Sequence, residues 1–311
     1  MKRIAIIDCG TNTFHLLIAE HQNNNSRILF RDKKVVKIGQ GGINQKRITE
    51  EAQDRAMAAI EDFRSSMDRF SIQDVFAFAT SAFRNAENGT HLKDRVYEKY
   101  NIDIKVIPGD EEAEYIFRGV NASMDIGDKT SLIMDIGGGS VEFIIGRRDE
   151  IIWKRSFETG AQRLLDLFHH HDPIIPEEVG SLKDHLSETL SDLLSALALY
   201  KPMALIGSSG TFDTLSCIYC KRKGIPLTEE QTETPLTLSD YKAIHDELIR
   251  KNRNERMKIP GMIEMRVDMI VVASCIIDFL LERHDFEDIR VSTWSLKEGV
   301  LARIVDGQLL Q

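Results

Sequence analysis

Apolar positions open the chain as a short run, Ile4-Ala5-Ile6-Ile7, which stops at Asp8, passes through Gly10, Thr11 and Thr13, and resumes over residues 14–19. The same pattern returns later. Leu132-Ile133-Met134 stops at Asp135, passes through Gly137, Gly138, Gly139 and Ser140, and resumes over residues 141–145. Residues 131–145 lie over residues 4–18 at a constant offset of 127, which puts Asp135 on Asp8, Gly137 on Gly10 and Ser140 on Thr13. Two apolar runs joined by a Gly and hydroxyl turn predict a β-hairpin at the head of each half.

Residues 27–38 alternate well enough for a third strand. Thr49 opens a helix whose Ala52, Ala56, Ile60, Phe63, Met67 and Phe70 recur at helical spacing and belong to a core. A buried-strand run over 75–79 ends in Thr80-Ser81 and Arg84. A short strand over 104–107 then leads through Pro108-Gly109 into a helix that begins with Asp110, Glu111, Glu112 and Glu114. The polar connection 125–129 marks the expected boundary, with domains 1–122 and 123–311. After the second hairpin come a strand over 150–157, a helix with Arg163 in its first turn, and one long amphipathic helix over 176–200. A strand over 203–206 runs straight into Gly207-Ser208-Ser209-Gly210-Thr211. Helices over 238–251 and 264–283, a strand over 289–292 and a closing helix follow.

The turns carry the chemistry. Consecutive glycines let backbone N–H groups close round an anion, and a strand, Gly-rich turn and helix N-terminus make a phosphate cradle. An Asp beside such a turn repels phosphate directly, so it is suited to holding a divalent cation. Four acids in the first turn of one helix complement its dipole, and any one of them at a strand exit is also placed to act as a general base. Hydroxyls and Arg84 at a strand's carboxyl end sit where α/β proteins bind ligands.

Composition adds limits. The chain has 42% apolar and 29% charged residues and no apolar run near the ~20 needed to span a bilayer; residues 269–277 read as a buried helix. No membrane and no nucleic acid partner is expected, the net charge being −9, and the expected location is cytoplasmic. Cys217 and Cys220 have C-x-x-C spacing without a second ligand pair, so they read as half-buried thiols. His169-His170-His171 reads as a solvated helix end.

Two halves, each headed by an Asp-bearing hairpin, describe an α/β protein of two actin-like (ribonuclease H-like) domains with an interdomain cleft, the architecture of the sugar kinase, heat-shock and actin superfamily. Five stretches sharpen this: residues 7–16, 79–84, 109–113 (Gly109-Asp110-Glu111-Glu112-Ala113), 135–142 and 207–211. Their order and context resemble the exopolyphosphatase and guanosine pentaphosphate phosphohydrolase (Ppx/GppA) family, in its short two-domain form, over residues 4 to about 304.

The resemblance implies a Mg²⁺-dependent hydrolase that releases terminal phosphate from polyphosphate or the 5′-phosphate of guanosine pentaphosphate. It implies Glu112 as the acid that activates water, and Asp135 and Glu142 as the acids for catalysis and Mg²⁺; Asp8, the acid beside the first turn, joins the metal set on its position alone. It further implies phosphate contacts from Asn12, Thr13, Arg84, Gly137, Gly138, Gly139, Ser140, Gly207, Ser208, Ser209, Gly210, Thr211 and Arg266. Two departures stand out. Where the family commonly has G-L-R-E-G this chain has Ser295-Leu296-Lys297-Glu298-Gly299, and Lys cannot make the bidentate fork of Arg; Glu264 stands where relatives often carry Pro. A small-metabolite kinase and a nucleotide sensor without turnover are the alternative readings, and a homodimer is left open.

Overall fold

The computed structural model describes residues 2–22 and 25–308. The first hairpin pairs β1 (Lys2–Cys9) with β2 (Thr13–Gln22), and β3 (Asn25–Val35) continues the antiparallel meander. Thr49 caps α1 (Glu50–Arg69) by accepting from the Ala52 N–H, and this helix buries the predicted apolar stripe as far as Met67. The chain then returns through β4 (Asp74–Ala79), parallel to β1, followed by α2 (Ser81–Asn85), α3 (Gly89–Tyr100), β5 (Ile104–Val106) and α4 (Gly109–Ser123). The strand order is β3-β2-β1-β4-β5.

The second half repeats the plan. β6 (Ser131–Ile136), β7 (Val141–Arg147) and β8 (Glu150–Phe157) form the meander, and α5 (Ala161–Phe168), α6 (Pro176–Thr189) and α7 (Ser191–Tyr200) precede β9 (Ala204–Ser208), which lies parallel to β6. Then come α8 (Ser209–Lys223), β10 (Glu233–Pro235), α9 (Leu238–Arg250), α10 (Arg253–Arg256), α11 (Met269–Leu281), β11 (Asp288–Ser292) and α12 (Leu296–Val305). The order β10-β11-β9-β6-β7-β8 is that of the first sheet with one edge strand added. The duplication seen in the sequence is therefore a duplication of topology, and the fold is the expected actin-like pair of α/β lobes.

Among the described residues, three apolar cores hold the fold together. One lies within each lobe, and the third joins them, with Ile4, Ile6 and Leu17 of the first sheet, Ile133, Ile144 and Ile206 of the second, and side chains of α4 and α12. The helix pair α4 and α12 crosses closely at glycines: a methyl on Gly299 would lie 1.7 Å from the Tyr115 carbonyl oxygen. The sheets change at the polar connection 125–129, but α12, late in the chain, packs back on α4, β1 and β2.

Several local expectations differ. The helix over 176–200 is two helices, since Leu190 leaves helical geometry (φ −97°, ψ 18°) between Thr189 and Ser191, whose hydroxyls favour helix ends. α11 starts at Met269 rather than 264, because Arg266 lies in a turn whose N–H bonds to the Ile263 carbonyl. The loop before α9 contributes β10, a three-residue edge strand ending at Pro235, where a missing N–H costs no ladder bond. His169 is not solvated: its side chain is 5% exposed beside Arg256 and Asp172, while His171 is exposed and pairs with Glu178. No described helix is long and apolar enough to cross a membrane.

Candidate active site

A cavity of about 120 Å³ opens between the lobes at the carboxyl ends of β1, β4 and β6. The two hairpin turns close on it from opposite sides. A methyl on Gly138 would sit 2.4 Å from Asn12 Nδ2, and one on Gly139 would sit 2.4 Å from Ser81 Oγ, so only glycine permits this approach of the two lobes.

Strand register aims the acids. Asp135 stands opposite Glu142, and Glu142 opposite Ser156, in one row across β6, β7 and β8. The first lobe has the matching row Asp8, His15 and Lys33 across β1, β2 and β3. Asp135 Oδ2 accepts hydrogen bonds from Ser208 Oγ (2.7 Å), Ser209 Oγ (2.6 Å) and Ser295 Oγ (2.5 Å). Glu142 Oε1 accepts from Ser156 Oγ (2.7 Å). Glu112, in the first turn of α4, is 7% exposed and accepts from Arg84 Nη1 at 3.1 Å.

Asp8, Glu112 and Glu142 hold protons unusually well. Burial and then the Asp135 charge push Glu142 up to about 8. Burial pushes Asp8 up to about 7; Lys297 opposes this and Asp135 adds to it. Burial and Glu142 raise Glu112 well above the ordinary glutamate value, against the pull of Arg84. The opposite wall is cationic. Burial, with Arg266 nearby, lowers Lys33 to about 8. Lys297 is raised because Glu298 and Asp8 outweigh its burial, and its Nζ lies 3.2 Å from Glu298 Oε1. Arg266 packs over Gly210 at the start of α8, and its buried Nε has no hydrogen-bond partner among the described residues. His15 is held neutral by burial and by Lys297 and Lys33, with Nε2 3.0 Å from Thr13 Oγ1.

The donor set fits a hard divalent cation. Asp8, Asp135 and Glu142 line the cavity with carboxylate oxygens, and burial raises the proton affinity of Asp8 and Glu142. No three Asp, Glu, His or Cys side chains among the described residues converge closely enough to hold a metal together. Mg²⁺ needs only one or two carboxylates, since it completes its octahedron with water and substrate phosphate, and Asp135 and Glu142 stand opposite one another in the strand pair. The orphaned Arg266 Nε, together with Lys33 and the glycine turns, suits an anion.

Of the residues singled out in the sequence, Asp8, Asn12, Thr13, Glu112, Asp135, Gly137, Gly138, Gly139, Ser140, Glu142, Ser209, Gly210 and Arg266 all line this cavity. Gly207, Ser208, Thr211 and Arg84 do not. Gly207 packs on the Phe212 ring, Ser208 acts through Asp135, and Thr211 is buried in α8. Arg84 reaches Glu112 and the Ile107 carbonyl instead. Lys33 and Asp213 also line the cavity and went unnoticed in the sequence. Asp213 was readable, four residues after Ser209 on one face of a helix. Lys33 was not, because its place depends on the register of β2 with β3.

Paired actin-like lobes, a glycine turn from each and buried carboxyl groups between them are the features this cavity brings together. Comparison with known proteins narrows this. Residues 17–308 match the Ppx/GppA phosphatase family. An exopolyphosphatase structure from Cytophaga hutchinsonii is 46% identical, covers 98% of both chains and superposes with a TM-score of 0.95. Exopolyphosphatase 1 of Mycobacterium tuberculosis is 24% identical over 98% of this chain and 89% of its own. A bifunctional 3-dehydroquinate synthase/phosphatase of Fusobacterium nucleatum is 31% identical over 97% of this chain; the chain spans 46% of that relative's length. The chain belongs to the Ppx/GppA phosphatase family and is a phosphoanhydride hydrolase.

Proposed function

We propose that the protein is a Mg²⁺-dependent exophosphatase that releases orthophosphate from the end of inorganic polyphosphate, the 5′-phosphate of guanosine pentaphosphate being the second candidate substrate. The observation that carries this reading is Glu112: a buried carboxyl with raised proton affinity faces the cavity that both phosphate turns enclose. The names of the Cytophaga and Mycobacterium relatives favour polyphosphate as the first substrate to test.

The terminal phosphoryl group sits between the two glycine turns, whose N–H groups take its oxygens, while Arg266 and Lys33 balance its charge. Glu112 accepts a proton from a water whose oxygen attacks the terminal phosphorus as the bond to the bridging oxygen breaks. The shortened chain leaves with that oxygen, and the proton passes to solvent with the next exchange. Asp135 and Glu142, with Asp8 nearby, would hold Mg²⁺, which would supply neutralising charge to the phosphate oxygens. Such chemistry depends on positioning and charge stabilisation more than on covalent help. The three serine hydroxyls on Asp135 Oδ2 fix that carboxylate and leave its other oxygen free of them.

The test is orthophosphate release from long polyphosphate, short polyphosphate and guanosine pentaphosphate with Mg²⁺. Turnover of polyphosphate that is lost in Glu112→Ala supports the reading. Tight binding of guanosine pentaphosphate without release of phosphate, or phosphate transfer from ATP to an acceptor, would replace it with the sensor or the kinase.

A further inference from the structure

Glu158 follows β8 directly, in the short stretch that leads into α5, and nothing in the reaction described above uses it. Its carboxylate nevertheless meets three side chains from both lobes. Oε2 accepts from Ser81 Oγ at 2.6 Å and from Arg163 Nη2 at 2.9 Å, and Oε1 accepts from Arg84 Nη2 at 3.0 Å. Ser81 and Arg84 belong to α2 of the first lobe, whereas Arg163 belongs to α5 of the second. Each arginine passes the contact on. Arg84 Nη1 donates to Glu112, the acid assigned to water activation. Arg163 Nε donates to the Gly139 carbonyl (2.8 Å) in the second phosphate turn, and its Nη1 reaches back across the cleft to the Ile43 carbonyl (3.1 Å).

We propose that Glu158 is a positioning residue, a latch between the lobes that fixes the Arg84 guanidinium against Glu112 and, through Arg163, fixes the Gly139 turn. Geometry favours this over an ordinary surface ion pair. A guanidinium has five donors in a rigid plane, so binding Glu112 at one nitrogen and Glu158 at the other leaves Arg84 little freedom to turn. Without Glu158 the group pivots on its remaining bonds to Glu112 and Ile107. Burial works against the Glu158 charge, but hydrogen bonds from Ser81, Asn85 and Arg84 outweigh it, so the carboxylate stays ionised below the ordinary range. The Glu158 side chain is 39% exposed, and pairs this open to water add little to stability. The role therefore shows in catalysis and local order rather than in melting.

The inference rests on the proposed hydrolysis only for its kinetic readout. With whichever phosphoanhydride the wild type hydrolyses, Glu158→Gln lowers kcat about 10-fold at nearly constant KM, a size expected for misplaced catalytic groups. Added to Arg84→Gln, it causes a further loss well short of 10-fold, since the Arg84 arm is already gone and only the Arg163 arm remains to be lost. Hydrogen exchange needs no substrate: segments 81–85 and 137–140 exchange faster in Glu158→Gln, while Tm stays within about 2 °C of wild type. Losses that multiply in the double variant, or unchanged exchange in both segments, would overturn the latch. A wild type that hydrolyses nothing would overturn the proposed reaction and leave exchange to decide on Glu158.

Discussion

Arg84 Nη1 lies 3.1 Å from Glu112 Oε2, so the acid that faces the cavity is paired from behind by a cation that does not line it. The pairing sets a direction. Burial and Glu142 raise the proton affinity of Glu112, and Arg84 draws it down. Removing the guanidinium in Arg84→Met disfavours the carboxylate, so the acid limb of the kcat/KM profile moves to higher pH. An unmoved limb would separate that limb from Glu112.

The buried acids also link folding to pH. In the folded protein Asp8 titrates near 7 and Glu142 near 8, both above their values of 3.8 and 4.5 in a free chain. A raised carboxyl stabilises the fold at low pH and loses that contribution as pH climbs through the folded value. Without divalent cation, the contribution of these two groups to Tm should therefore fall progressively from about pH 4 to 8 and level off by pH 9, a change of at least about 5 °C. Mg²⁺ should restore most of the loss at pH 9 and little at pH 6, as read by differential scanning calorimetry.

Lys33 supplies an alkaline signature. Its ammonium titrates near 8, so the cavity loses a positive charge above that pH and binds anions less well. KM for a polyanionic substrate should rise between pH 8 and 9.5. Lys33→Met should start with a higher KM and show less of this rise in steady-state kinetics.

The helix crossing predicts a purely structural defect. A methyl at Gly299 would overlap the Tyr115 carbonyl in α4, and since both partners are backbone the helices must part. Gly299→Ala should cost about 1–3 kcal/mol, measured by urea denaturation.

Much of this was legible in the chain. The two hairpins were visible because an alternating apolar pattern and a Gly and hydroxyl turn are local signals, and their duplication specified two similar lobes. The glycines and acids of those turns came with them, whereas Glu112 was singled out from the four acids at the head of α4 only by the family resemblance. Arg84 was visible as a residue type after a strand, but its target was not, because the side chain turns toward α4 rather than into the cavity. Lys33 depends on strand register and Glu158 on how the lobes meet, and neither relation leaves a periodic trace in sequence. The division of residues 176–200 escaped for a similar reason. Its leucine stripe continues through Leu190, and only the backbone geometry there shows the break.

The account turns on Glu112 activating water at a terminal phosphate. The most direct measurement is single-turnover orthophosphate release from polyphosphate with Mg²⁺, comparing wild type with Glu112→Gln at matched substrate occupancy. The account predicts that binding is kept while the rate falls about 10²–10⁴-fold. A Glu112→Gln protein that releases phosphate within a few-fold of the wild-type rate would contradict it.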